Sequence, residues 1–420
     1  MDDVLDLSAL RIDAKRLRRR IDELADIGPI EGGGNARLAF TEVDGSARDL
    51  VVDWMRDLAL DVHIDAIGNV VALRPGSVTG PPVMCGSHID TVRTGGRYDG
   101  NYGVIAGLEV VETLSERGIT THHPIAVAFF SNEEGARFPP DMMGSLVYVG
   151  GLAIEVALDT VAADGASVGD ELARIGYVGS LPCPGPAPRA FVELHIEQGP
   201  VLETEHRTIG VVESVQGISW QEITVDGQSN HAGTTPMRLR HDAGYAAAAI
   251  AVFVRQLAGE IGGAQVATVG AIDLAPNLVN VVPARAVLTV DLRNTDDEVL
   301  RDAETRLSAF LEQLERDEGV TIATRSLARF EPVTFDARVV QLVERTATSL
   351  DHSTLRMPSG AGHDAQMLAR VCPSGMIFVP SVGGLSHNPS EHTEPADLEA
   401  GANVLLHTLL ALAESGGVID

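Results

Sequence analysis

Five residues of this chain carry metal-binding side chains at telling positions: His88, Asp99, Glu134, His195 and His387. MCGS leads to His88, and IAVAFF leads to the adjacent pair Glu133-Glu134. FVEL leads to His195, and MIFVP leads through a glycine turn to His387. Short apolar runs of this kind read as buried strands. An open α/β sheet gathers its ligands at the carboxyl ends of its strands. Imidazole and carboxylate groups are donors in catalytic zinc sites, which use three protein ligands and leave a position for water. Two ions about 3.5–4 Å apart can share one carboxylate, so five ligands suffice if one bridges. Asp99 is the natural bridge, because it follows His88 closely and precedes a helix. His88 and His195 complete one site, and Glu134 and His387 the other. The chemistry this implies is metal-assisted hydrolysis.

Glu133 then remains outside the metal shell. Adjacent strand residues point to opposite faces, so the glutamate pair is expected in the loop after its strand, where both can face the site. Glu133 can take a proton from the attacking water and return it to the leaving amine. Asp90, two residues past His88, is placed to accept the other imidazole N–H. Structural readings stand beside these. A single histidine at a strand end more often packs than binds metal, and paired glutamates are usually solvated. Spacing alone leaves both readings open.

The elements that must position these residues follow from periodicity. Leu17, Ile21, Leu24 and Ile27 recur at steps of three and four, which predicts a helix over 12–27. From 69 to about 212, strand and helix patterns alternate: NVVAL, VMCGS, the helix VIAGLEVVETL, then IAVAFF. Alternation of this kind predicts βαβ units and a mainly parallel mixed sheet flanked by helices. The proline-rich connector LPCPGPAPR leads into FVELHIEQG. Near 213 the pattern changes. ISWQEITVDG, a helix at 241–258, VATVGAID, RAVLTVDLRN, a charged helix at 297–316 and GVTIATRSL give the order β-α-β-β-α-β, a split βαβ sandwich. MIFVPSVGG and the helix ADLEAGANVLLHTLLALAE resume the first pattern. The expected division is 1–212 with 330–420 as the catalytic domain, and 213–329 as an inserted domain.

Composition bounds the rest. A chain of 420 residues forms more than one domain. A net charge of -28 argues against nucleic acid, which needs a basic footprint, and against an anionic membrane surface. Three cysteines, Cys85, Cys183 and Cys372, do not make a disulfide framework and fit a reducing compartment. The opening MDDVLDLSALRIDAKRLRRRIDEL has no apolar leader segment, and the run AAAAIAVFV is too short to span a bilayer. A cytoplasmic protein is expected.

Longer strings add a resemblance. GSHIDTVRTGGRYDG, SNEEGARF, ELHIEQGPVLE, GQSNHAGTTPM, PNLVNVVPARAVLTVDLRN, SGAGHDA and SHNPSEHT resemble, in order and over nearly the whole chain, the hydantoinase/carbamoylase family. That family belongs to the di-zinc aminoacylase and carboxypeptidase superfamily. It includes N-carbamoyl-L-amino acid hydrolases, allantoate amidohydrolases and β-ureidopropionases. The resemblance implies a di-zinc exopeptidase-like catalytic domain with an inserted ferredoxin-like lid that also serves dimerisation. It implies two divalent ions per subunit, Zn2+ first and Mn2+, Co2+ or Ni2+ as alternatives, held by His88, bridging Asp99, Glu134, His195 and His387, with Glu133 as general base. It implies substrate contact by Gln198, a lid histidine, His231, that reaches the neighbouring subunit's active site, and a substrate carboxylate held by Asn280 and Arg293. Without the motif match, His231 reads as a turn cap and Arg293 as a surface strand residue. His392 in SEHT competes with His387, and the SH-x-P segment favours His387. Asn101, Tyr102, His363 and Asp364 have no assigned role.

The expected reaction is hydrolysis of an N-carbamoyl-L-amino acid to the amino acid, CO2 and ammonia, by a homodimer acting on a small ureido acid. Allantoate amidohydrolase and β-ureidopropionase are the alternatives. Cleavage of N-acyl amino acids or peptides is more distant. A non-catalytic metal-binding scaffold would need a degraded site, yet Glu133 and all five ligands are present.

Overall fold

The run VMCGSH has no polar face, so it must lie in a sheet covered on both sides. In the computed structural model, which describes residues 9–415, it is a wholly buried strand near the middle of a sheet. The first eight residues, part of the polar opening stretch, lie outside the described residues.

The strands in chain order are β1 Asp61–Ile64, β2 Val70–Arg74, β3 Val83–His88, β4 Ile125–Phe130, β5 Ala190–Ile196, β6 Ile209–Val215, β7 Gly217–Asp226, β8 Val266–Ala275, β9 Arg285–Asn294, β10 Thr321–Phe330, β11 Val333–Thr334, β12 Thr354–Ser359 and β13 Ser374–Val379. Two units result: Met1–Glu213 with Phe335–Asp420, and Ser214–Thr334. The sequence expectation put the insert at 213–329.

In the larger sheet the order is β1-β2-β4-β3-β5-β13-β6-β11, with β12 on β6. Its centre, β4-β3-β5-β13, is parallel, and the flanks are antiparallel. All four central strands are buried along their whole length, as strands covered on both faces require. The helix Asn101–Glu116 lies against this sheet. A Cβ on Gly103 would stand 2.3 Å from the Leu194 carbonyl oxygen, and one on Gly107 2.8 Å from Cys85 Sγ. These two glycines, one turn apart, let the helix sit close enough to fix the loop before it. Tyr102 is fully buried, and its hydroxyl donates to Leu398 O at 2.6 Å. It packs the helix rather than lining a pocket.

The smaller sheet is antiparallel throughout, in the order β10-β7-β9-β8. The helices Ala243–Ile261 and Asp297–Glu318 complete the expected β-α-β-β-α-β order. Alternate β9 residues, Ala286, Leu288, Val290 and Leu292, enter a core with Ile250, Val254 and Leu307. This period-two burial is what made the strand legible.

The helices Glu42–Asp57 and Ala337–Ser349 escaped the sequence reading. In the first, the buried face carries Asp44 and Arg48, which disguise the apolar stripe. Arg48 is fully buried, donates to Asp44 Oδ2 at 2.8 Å, to Gly68 O at 2.8 Å and to Ser131 Oγ at 3.1 Å, and lies over Phe40, Phe129 and Tyr177. It therefore pins the end of β4, just before the glutamate pair. Among the described residues no helix is long and apolar enough to cross a membrane.

Removing one partner of a buried ion pair leaves an uncompensated charge. Asp44→Ala is expected to lose about 3–5 kcal/mol of stability in denaturant unfolding. A loss under about 1 kcal/mol, the range of an exposed pair, would contradict this account.

Candidate metal centre

β3 ends at His88, which lies opposite Phe130 at the end of β4. On β5, His195 lies opposite Phe378 of β13. The glutamate pair lies in the loop after β4, beyond Asn132, whose φ is +54°. Asp99 sits just before the helix Asn101–Glu116, and His387 in the loop after β13.

These positions converge. Ligand atoms of His88, Asp99 and His195 lie within 4.8 Å of one another, and so do those of Asp99, Glu134 and His387. Asp99 divides its two oxygens between the clusters. Oδ1 is 3.1 Å from His195 Nε2 and 3.5 Å from His88 Nε2. Oδ2 is 3.5 Å from His387 Nε2, which is 3.2 Å from Glu134 Oε2. Glu133 Oε2 stands 3.4 Å from His88 Nε2. His392 belongs to neither cluster.

The donor set fits divalent cations. His88 Nδ1 meets the Asp90 carbonyl oxygen at 2.9 Å, and His195 Nδ1 meets the Ile196 carbonyl oxygen at 2.8 Å. A carbonyl accepts only from N–H, so each Nδ1 carries a proton, which leaves Nε2 as the atom that could bind a metal. Gly100 N donates to His195 Nε2 at 3.1 Å, consistent with that tautomer. Glu134 Oε1 is buried without a hydrogen-bond partner, as a ligand oxygen would be. The electrostatics agree. Burial pushes Asp99 up, but the three histidines outweigh it and hold it well below the usual carboxylate range. Burial alone would lower His88, and Glu133 and Asp99 outweigh it, so His88 is held well above its usual value. Asp99 and Glu134 raise His387 to about 10. Clustered carboxylates thus favour positive charge at this point. Burial, then the carboxylates of Asp364, Glu134 and Asp90, drive Glu133 well above its usual range despite His88. A raised carboxylate suits a general base.

Asp90 differs from expectation in one atom. Its backbone carbonyl, not its carboxylate, holds His88. The carboxylate accepts from Glu133 N at 3.2 Å and Glu134 N at 3.3 Å. Asp90 therefore orients both His88 and the glutamate turn. The physical reason is reach: a side chain two residues from His88 can span to the β4 loop, leaving its own carbonyl against the imidazole. Burial pushes its carboxyl up to about 6.

Further residues were missed or left without a role by the sequence reading. Glu391 Oε1 accepts from Tyr98 N at 3.0 Å and Asp99 N at 3.2 Å, and Ser386 Oγ lies between Glu391 and Asp99. Nothing in SHNPSEHT marked Glu391. Glu193 is fully buried two residues before His195, and accepts from Ser87 Oγ at 2.6 Å and Ala365 N at 2.7 Å. A charge inside FVEL was the available signal. Glu193, His195 and His363 also come together. However, Glu193's oxygens are already engaged, and Ser359 Oγ meets His363 Nε2 at 2.8 Å. Burial holds His363 well below its usual value, so it packs as a neutral ring 4.7 Å from His195. Asp364 is fully buried and raised well above its usual value by burial and Glu193. Asn101 Oδ1 accepts from buried Arg37, which also donates to Ile89 O. Asn101 thus ties the Asp99 loop to the end of β3. Gln198 donates to Asp99 Oδ2 at 2.9 Å.

In the second unit, His231 is exposed, and its Nδ1 accepts from Gly233 N at 3.1 Å and Thr234 N at 3.3 Å. It does cap a turn, and that cap leaves the proton on Nε2 as a donor. Asn280 is exposed on the neighbouring segment, where its carbonyl accepts from Ala232 N. Arg293 lies against Asp291, with Nε to Oδ1 at 3.1 Å and Nη2 to Oδ2 at 2.9 Å, and over Trp220.

The profile of Peptidase family M20/M25/M40 matches residues 84–411, which include all five candidate ligands. The chain belongs to this family. Among M20/M25/M40 relatives, the N-carbamoyl-L-amino-acid amidohydrolase of Rhizobium meliloti is 42% identical, over 96% of this chain and 97% of that protein. The allantoate amidohydrolase of Bacillus subtilis is 34% identical, over 94% and 96%. A crystal structure of a hydantoinase/carbamoylase family amidase from Burkholderia multivorans has a TM-score of 0.93 at 44% identity, covering 97% of this chain and 99% of that one. The fold is therefore shared over 97% of this chain.

Asp90→Asn would set an amide N–H against a backbone N–H. Zinc affinity, measured by equilibrium dialysis, is expected to fall about 10–100-fold, as for other residues that orient metal ligands. Unchanged affinity would mean that other contacts hold the turn.

Proposed function

We propose that this M20/M25/M40 chain hydrolyses the ureido C–N bond of an N-carbamoyl-L-amino acid. The carrying observation is the pair of clusters sharing Asp99, with Glu133 beside them. The named function of the 42% identical relative supplies the substrate class. Two divalent ions, Zn2+ first and Mn2+, Co2+ or Ni2+ as alternatives, would polarise the carbonyl and activate water when bound. His88, Asp99, Glu134, His195 and His387 would hold them. Glu133 takes the proton from the attacking water and returns it to the nitrogen of the breaking C–N bond. The amino acid leaves, and the carbamic acid that remains falls to CO2 and ammonia. The Nε2–H of His231 donates to the developing oxyanion. Gln198 contacts the ureido group. Asn280 and Arg293 hold the substrate carboxylate, for which a guanidinium fork is suited.

The alternative is the allantoate reaction, favoured by the name of the Bacillus subtilis relative. We also propose a homodimer joined through the second unit, since His231 is read as serving the neighbouring subunit. A cytoplasmic location is proposed from three free cysteines, which suit a reducing compartment.

Ammonia release from metal-loaded protein on carbamoyl amino acids, ureidopropionate and allantoate tests the reading. Carbamoyl amino acids are expected to be turned over fastest, and silence on the whole panel would end the ureido assignment. Glu133→Gln should keep its metal and lose about 10²–10⁴-fold in kcat. Wild-type turnover would remove Glu133 as base. His231→Ala should lose about 10²–10³-fold, and mixing it with Glu133→Gln should restore activity in hybrid dimers. No recovery would count against the shared site.

A further inference from the structure

The two ligand clusters are built unequally, and an inference follows that rests on the two-metal reading. In the cluster of His88, His195 and Asp99, the side chains are 2%, 1% and 4% exposed. Both imidazoles are held from behind, His88 by the Asp90 carbonyl and His195 by the Ile196 carbonyl. Such partners fix the ring and raise its basicity, and their loss costs about 10–100-fold in metal affinity. Among the described residues, Asp99 Oδ1, which serves this cluster, meets those two rings. One backbone donor, Gly100 N, competes for His195 Nε2.

In the cluster of His387, Glu134 and Asp99, the two carboxylates are also buried, at 6% and 4% exposed, and the difference lies at the histidine. His387's side chain is 49% exposed. Among the described residues its ring meets Asp99 and Glu134, both at Nε2. No carbonyl steadies it as Asp90 and Ile196 steady the other two. Its backbone is held at φ +53°, a conformation that side-chain-bearing residues rarely adopt. Asp99 Oδ2 also accepts from Gln198 Nε2 and from Ser386 Oγ, both at 2.9 Å. A metal there shares its ligand oxygen with two side-chain donors.

We propose that the two ions bind in order. The His88–His195–Asp99 cluster takes the first ion tightly. The His387–Glu134–Asp99 cluster takes the second more weakly and exchangeably, so its occupancy follows the free metal concentration. The first ion is then a resident part of the centre, and the second sets how much of the centre is complete.

The test is to dialyse purified full-length protein against zinc buffers of graded free concentration and count bound ions by mass spectrometry. Two classes separated by about tenfold or more are expected, the scale that ligand-orienting partners contribute. His387→Ala, at a half-exposed position, should lose the weak class and keep one tightly bound ion of unchanged affinity. Glu134→Gln should do the same, with an unchanged melting temperature as evidence of folding. Two ions of equal affinity in the wild type, or loss of the tight ion in His387→Ala, would overturn the order while leaving the two-metal reading intact. A wild type that never exceeds one ion would sink both.

Discussion

The centre depends on one buried carboxylate. Asp99 is 3% exposed and faces three imidazoles. A buried charge of this kind persists only where it is compensated, and the surrounding architecture supplies that compensation. Amide groups of Tyr98 and Asp99 are anchored on Glu391. Gly100 follows at φ +65°, where a Cβ would strike the His88 ring at 2.4 Å. The helix beginning at Asn101 then lies on the sheet through Gly103 and Gly107. Loop, helix and sheet are thus fitted to hold one side chain between two clusters.

A second layer fixes the orientation of what Asp99 meets. Carbonyls select the histidine tautomers. Asp90 gathers the amides of the glutamate turn, and Arg48 pins the strand end before it. Left-handed backbone at Asn132, Gln198 and His387 shows where the chain is bent to suit the site rather than itself. In the second unit the same economy recurs. Backbone amides fix the tautomer of His231, and Asp291 and Trp220 hold the Arg293 guanidinium.

Family membership and geometry support each other without overlapping. The M20/M25/M40 match accounts for the architecture. The geometry accounts for why Glu133 and Glu134, adjacent in sequence, differ: one stands beside His88, the other beside His387. It also accounts for the unequal exposure of the two clusters.

The sequence by itself determined the buried strands at the sheet centre, the β-α-β-β-α-β order of the insert, and the histidines and carboxylates proposed as ligands and base. These are legible because burial imposes period two or an unbroken apolar run, and because ligand chemistry restricts residue type. Tertiary structure alone decided which Asp99 oxygen serves which histidine, and that Asp90 acts on His88 through its carbonyl. It alone revealed Glu391, Ser386 and Arg37 behind the site. It also moved Tyr102 into the core and Asn101 onto Arg37. Each of these is a contact between segments far apart in the chain, set by how helices and loops pack on the sheet. Local pattern reports which face a residue turns inward, and it carries no record of what it meets there.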